Sequence, residues 1–292
     1  MKKNRLAKVI ALGVAAVMTI GLAGCGNSGG SDSSSKDKGS ITVISREEGS
    51  GTRDAFTELT GVLQDDVDKT VDTAEISNST SVVLQSVADN PNAIGYVSLG
   101  SLDDSVKSVK VDGVEASVDT VKSGDYKLQR PFNIVTKGKL KELPQDFVNY
   151  IMSKEGQQII EKEGYISEAK NAKSYKASGL KGTVTLAGST SVAPVMEVLA
   201  DNYKKLNSGV DIEIQQTGSG AGIQSTIEGV CDIGMASRAL EDSETKEGLD
   251  SQQIALDGIA VIVNNDNSVS ELTTDQIMKI FTGETTDWAD IK

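Results

Sequence analysis

Ile41-Thr-Val-Ile-Ser-Arg46-Glu-Glu-Gly49-Ser50-Gly51-Thr52-Arg53 leads into Asp54-Ala-Phe-Thr-Glu-Leu59: a short β-rich run, a Gly/Ser/Thr turn, then a helical pattern. The same succession returns twice. Val184-Thr-Leu-Ala-Gly188-Ser189-Thr190-Ser191 precedes Val192-Ala-Pro194-Val-Met-Glu197, and Ile212-Glu-Ile-Gln-Gln-Thr217-Gly218-Ser219-Gly220-Ala221-Gly222 precedes Ile223-Gln-Ser-Thr-Ile227. Strands that alternate with helices need crossover connections, so the fold class is α/β. A further strand is expected at Ile259–Val263, and helices at Asp54–Leu63, Ser81–Asp89, Pro144–Glu163, Val192–Leu206, Ile223–Glu228 and Thr274–Phe281. Lys170 to Lys181, rich in Lys, Ser, Ala and Gly without a period, is expected to be a linker within the chain.

A Gly/Ser/Thr turn before a helix suits an oxyanion. The first N–H groups of a helix lack internal acceptors and sit at the positive end of its dipole. Glycine lets a ligand approach the backbone, and hydroxyls add donors that also cap the helix. Arg46 and Arg53 can add charge-assisted contacts. One such turn alone is an ordinary helix cap. Three at the carboxyl ends of strands, where open α/β sheets place ligands, point to a shared anion site.

Composition sets the bounds. The net charge of −13 argues against nucleic-acid recognition through a basic field. It leaves a small anion open, because surface charge is screened within about 8–10 Å while hydrogen bonds act at contact. The chain has no histidine, which excludes Ser-His-Asp and Cys-His engines and the usual zinc sites, and it has no G-x-x-x-x-G-K-[ST] loop. No cofactor or metal is implied. Residues 1–24 read as an export signal: Lys2, Lys3, Arg5 and Lys8 precede the apolar Val9–Ile20. Leu22-Ala-Gly-Cys25 looks like a lipobox, so Cys25 is the expected lipidation site and residues 25–40 the flexible tether. Cys231, in Gly-Val-Cys-Asp-Ile-Gly, is expected to be a small buried hydrophobe.

Gly188-Ser-Thr-Ser-Val-Ala-Pro194, Gly218-Ser-Gly-Ala-Gly222, Asp232-Ile-Gly-Met-Ala-Ser-Arg238, Ile254–Asn264, Ser45–Arg53 and Leu272-Thr-Thr-Asp-Gln276 with Ile280-Phe-Thr-Gly283 and Trp288 resemble the signature segments of PstS-type phosphate-binding proteins. The resemblance implies a two-lobed periplasmic-binding-protein-like (type II) fold. Its two crossover segments fall near Arg130–Ile134 and Leu256–Ile259, leaving residues 131–258 as one lobe and 41–130 plus 259–292 as the other. It also implies capture of inorganic phosphate between the lobes and delivery to ABC transporter permease subunits, by a lipid-anchored receptor on the extracytoplasmic face of the cell membrane. The segments occur in rotated order, since the Arg46–Arg53 piece ordinarily follows the Phe281–Trp288 piece, so a circular permutation is expected.

Carried over by position, the phosphate contacts fall on Thr190, Ser191, Ser219, Arg46, Ser50, Gly51 and Thr52. Some family members have an aspartate where this chain has Arg238, an acceptor for the proton of phosphate that excludes sulfate. Asp54, Asp257 or Ser237 is the expected substitute. A receptor for sulfate or molybdate is the nearest alternative. A phosphate-ester enzyme and a surface interaction protein are others.

Overall fold

Alternating β-branched runs and capped helices give the expected layers. The computed structural model describes residues 39–168 and 171–291; the expected export signal and Cys25 lie outside them. The elements that position the site are β1 (Thr42–Arg46), α1 (Gly51–Thr60), β2 (Glu75–Ser77), α2 (Thr80–Asp89), β3 (Ala93–Ser98), β4 (Gln129–Lys137), α3 (Glu142–Ile151) and α4 (Lys154–Lys162). They continue with β5 (Gly182–Gly188), α5 (Ala193–Leu206), β6 (Val210–Gln216), α6 (Ser219–Ile227), β7 (Ile233–Ala236), β8 (Leu249–Asn264) and α7 (Thr274–Phe281).

The strands run in the order β6-β5-β7-β4-β8-β3-β1-β2. Each end of this sheet is a parallel trio, β2-β1-β3 and β6-β5-β7. The centre is antiparallel, where β4 and β8 pair from Leu249↔Lys137 to Gly258↔Gln129. The second part of β8, Ile259–Val263, then pairs with β3. A single 16-residue strand therefore serves both ends. Its later residues are an unbroken buried apolar run, as a strand covered on both faces requires.

Two large apolar cores flank this centre, with a small third cluster of Val135, Ile223, Ala236 and Leu249. One holds residues between Val43 and Leu128 together with Ile259 to Trp288, and the other spans Phe132 to Ala255. The chain changes core within β4 and again within β8. In the first core Phe56 of α1 stacks on Tyr96 of β3 at 3.9 Å between centroids and meets Phe281 of α7 edge-on at 4.7 Å. Burial of a ring such as Phe56 stabilises by about 1.5–3 kcal/mol, and here it holds α1 against β3 and α7.

Several boundaries differ from expectation: the helix expected to run to Leu63 ends at Thr60, where Gly61 takes a left-handed cap conformation with φ +77°. The helix expected over Pro144–Glu163 is two helices, because the Ser153 side chain caps α4 by accepting from the Gly156 amide and so breaks the run after α3. Helix α1 starts at Gly51 and α6 at Ser219, each ahead of the expected apolar start; glycine-rich first turns carry little hydrophobic signal. Residues 171–181 carry neither helix nor strand. Cys231 is buried, with its thiol against the Thr226 hydroxyl at 3.4 Å.

Candidate functional site

Each parallel trio ends its strands against helix starts. In the first core Ser50 caps α1, its hydroxyl accepting from the Arg53 amide, so Gly51 and Thr52 form the first turn. In the second, the Ser189 hydroxyl accepts from the amides of Ser191 (3.2 Å) and Val192 (3.3 Å) at the entry to α5. The Gly188 carbonyl accepts from both Thr217 and Gly218, which ties the turn before α6 to the turn before α5. Gly188 cannot be replaced at this crossing. Its φ is +142°, and a Cβ there would lie 2.2 Å from the Met235 carbonyl oxygen.

The helix starts of the two cores meet. Thr52 and Ser191 share a hydroxyl hydrogen bond of 2.9 Å. The Thr80 amide donates to the Thr190 hydroxyl (3.3 Å), and the Thr80 hydroxyl lies 3.2 Å from that of Thr190 and 3.1 Å from that of Ser191. The Gly220 amide donates to the Gly49 carbonyl at 2.9 Å. Ser219 and Ser237 share a bond of 3.3 Å, and a Cβ on Gly51 would sit 2.6 Å from the Ser219 hydroxyl. Ser50, Thr52, Thr190, Ser191, Ser219 and Ser237 are each at most 3 % exposed. Hydroxyls that bond one another can each turn to donate to one common acceptor, which makes this cluster suited to an oxygen-rich anion.

Two guanidinium groups sit beside it. Arg46, at the end of β1, is buried; Nε and Nη2 bind the two Glu47 oxygens at 2.8 and 2.7 Å, and Nε also donates to the Ser77 carbonyl. Ser77 Oγ is buried without a hydrogen-bond partner. Arg130, in β4, bonds Asp257 of β8 at 3.3 and 3.4 Å and reaches the Ser237 carbonyl with Nη1 at 3.3 Å. Asp257 also accepts from Ser98 at 2.9 Å. Burial pushes the Asp257 carboxyl up to about 6 against the pull of Arg130 and Ser98, and burial lowers Arg130.

The expected residues thus divide. Gly51, Thr52, Thr190, Ser191, Ser219 and Ser237 come together, with Ser50 buried at the same turn and Arg46 leading into it. Arg53 does not join them: it binds Asp68 at 2.6 Å and the Arg46 carbonyl at 2.9 Å. Arg238 turns outward to Asp54 (2.9 Å) and Glu244 (2.8 Å), while its neighbour Ser237 faces the cluster. Burial raises the Asp54 carboxyl, with Arg238 opposing. Asp257 lies between the crossover strands.

Thr80 and Arg130 were missing from the sequence-derived set. Ser77-Asn-Ser-Thr80-Ser is a fourth hydroxyl-rich helix start, and its short strand β2 hides the pattern. Nothing in the local sequence of Arg130 marks it.

A model for a PBP superfamily domain matches residues 31–155 and 173–292. The phosphate-binding protein PstS 2 of Streptococcus agalactiae is 53 % identical over 298 residues, covering 100 % of this chain and 99 % of its own. The phosphate-binding protein PstS of Staphylococcus haemolyticus is 39 % identical over 119 residues, 38 % of either chain. A crystal structure of a phosphate ABC transporter phosphate-binding protein from Streptococcus pneumoniae superposes with a TM-score of 0.70 at 50 % identity, over 87 % of this chain and 100 % of that one.

Proposed function

The chain belongs to the PstS-type family of phosphate-binding proteins, and from that membership we propose that it captures inorganic phosphate in the hydroxyl-lined cleft and delivers it to an ABC importer. The observation that carries this reading is the meeting of helix starts from separate cores, Thr52 with Ser191 and Thr80 with Thr190. A ligand held from both sides stabilises the closed arrangement over the open one, and closure creates the surface that a transporter reads. The cores are the two lobes, 41–130 with 259–292 and 131–258, and β4 and β8 carry the hinge. Phosphate takes donors from Thr190, Ser191, Ser219, Ser50, Gly51 and Thr52, with Arg46 and Thr80 beside them. Three or four such bonds, at ~1.5–3 kcal/mol each for a charged acceptor, offset the ordering cost and leave the roughly −8 kcal/mol of micromolar binding. The protein acts by binding and release, without catalysis.

It works on the extracytoplasmic face of the membrane, held by a lipid on Cys25. The order of its segments is a circular permutation within the family. Two findings support that: the match to the Staphylococcus relative is confined to one stretch of each chain, and residues 39–41 lie against 286–288, with the Ile41 amide donating to the Thr286 carbonyl at 2.8 Å.

The absence of any carboxylate among the hydrogen-bond partners of Thr52, Thr190, Ser191, Ser219 and Ser237, among the described residues, favours sulfate as the rival ligand. Calorimetry decides between them. Phosphate is expected to bind one to one and to be displaced poorly by sulfate or molybdate, and Arg46→Ala to lose at least ten-fold in affinity. No heat with phosphate, or equal heat with sulfate, overturns the assignment.

A further inference from the structure

A groove of about 510 Å³ runs beside the hydroxyl cluster, with Asp54 and Glu58 of α1 on one wall and Arg238 and Glu241, beyond β7, on the other. The walls belong to different cores. Arg238 Nε donates to Asp54 Oδ2 across the groove at 2.9 Å. The other ion pairs among the described residues, such as Arg53–Asp68 and Lys204–Asp211, stay within one core, apart from Arg130–Asp257 between the crossover strands. Arg238 is held for this contact. Its Nη1 and Nη2 fork onto Glu244 at 2.8 Å each, and Nη1 also donates to the Ala239 carbonyl, which leaves Nε aimed at α1.

The geometry points to Asp54 and Arg238 as a latch across the cleft, a pair of positioning residues that slows ligand release without touching the ligand. The latch rests on the lobe closure proposed above, and the identity of the retained ligand on the phosphate reading. A pair that forms only when the cores meet adds its attraction to the closed state alone, and so lowers the rate of opening. Entry occurs through the open state, where Asp54 and Arg238 are apart, so association is left unchanged. The contact is partly solvated, with side-chain exposures of 12 % for Arg238 and 39 % for Asp54, which limits the effect to roughly three- to ten-fold in rate.

The test uses Asp54→Asn and Asp54→Glu in the full chain, with two readouts. Stopped-flow measurement with inorganic phosphate is expected to give release three- to ten-fold faster in Asp54→Asn, association within two-fold of wild type, and recovery of slow release in Asp54→Glu. Hydrogen exchange without ligand is expected to quicken at the amides of Thr80 and Gly220, whose bonds cross between the cores, and to stay unchanged at Val261 in β8. Unaltered exchange at Thr80 and Gly220 overturns the latch. So does a change that appears only in association or in sulfate discrimination, which would place the carboxylate on the ligand. Should wild type take up no phosphate, the receptor reading falls, while the exchange measurement still decides the latch.

Discussion

Gly51 stands at the start of α1 with ordinary helical geometry, so conformation alone does not require glycine there. Space does. A Cβ would lie 2.6 Å from the Ser219 hydroxyl and 2.9 Å from that of Ser237, both on the opposite core. Gly51→Ala therefore wedges the two helix starts apart while leaving each core intact. Its expected effect is a loss of phosphate affinity of about ten-fold or more in calorimetry, with a change in urea-unfolding stability below ~1 kcal/mol. Retained affinity would place the cleft elsewhere. Ser237 belongs to the same scale. The motif Ala236-Ser237-Arg238 draws attention to its charged member, but alternation along and beyond β7 sends Ser237 inward and Arg238 to the rim.

Strands β4 and β8 join the two cores, and they meet at a buried ion pair. Arg130 and Asp257 are 2 % and 1 % exposed, and neither is compensated as fully as it would be in water. The folded Asp257 carboxyl keeps its proton up to about pH 6, whereas an unfolded one releases it near the ordinary 3.8. The folded state therefore binds more protons across that interval, and this group's contribution to stability falls as the pH rises through it. Arg130→Met leaves the carboxylate unpaired. The expected result is a loss of about 3–5 kcal/mol at pH 7, much of it recovered near pH 5 when Asp257 takes up a proton. Chemical denaturation at the two pH values measures both; an equal loss at each would show that the pair does not set the pH response. Elsewhere, the segment 171–181 is pinned without secondary structure of its own. Tyr175 and Ser178 donate to Asp146 Oδ2 at 2.6 and 2.8 Å, and Tyr203 of α5 donates to the same oxygen at 2.7 Å.

At the scale of the molecule, the chain passes between its cores twice, and residues 39–41 lie against 286–288 within the first. Such an arrangement tolerates relocation of the break. A chain with Ile291 joined to Gly39 by a short Gly/Ser linker and opened between Asn171 and Ala172 is expected to fold and to bind phosphate within a few-fold of the parent, by circular dichroism and calorimetry. Failure to fold would mean that the present connection through 171–181 is structurally required. By itself the sequence determined the α/β class, three of the four hydroxyl-rich helix starts and the family. Those are local or near-local properties: strand periodicity, caps and glycines at turns carry their signal within a few residues. Only the tertiary structure decided that Thr80 completes the cluster, that Arg130 sits at the crossover, that Arg53 is taken by Asp68, and that Arg238 reaches across to Asp54. Each depends on which residues far apart in the chain become neighbours, and β-pairing between β4, β8 and β3 sets that register through packing rather than through any local pattern.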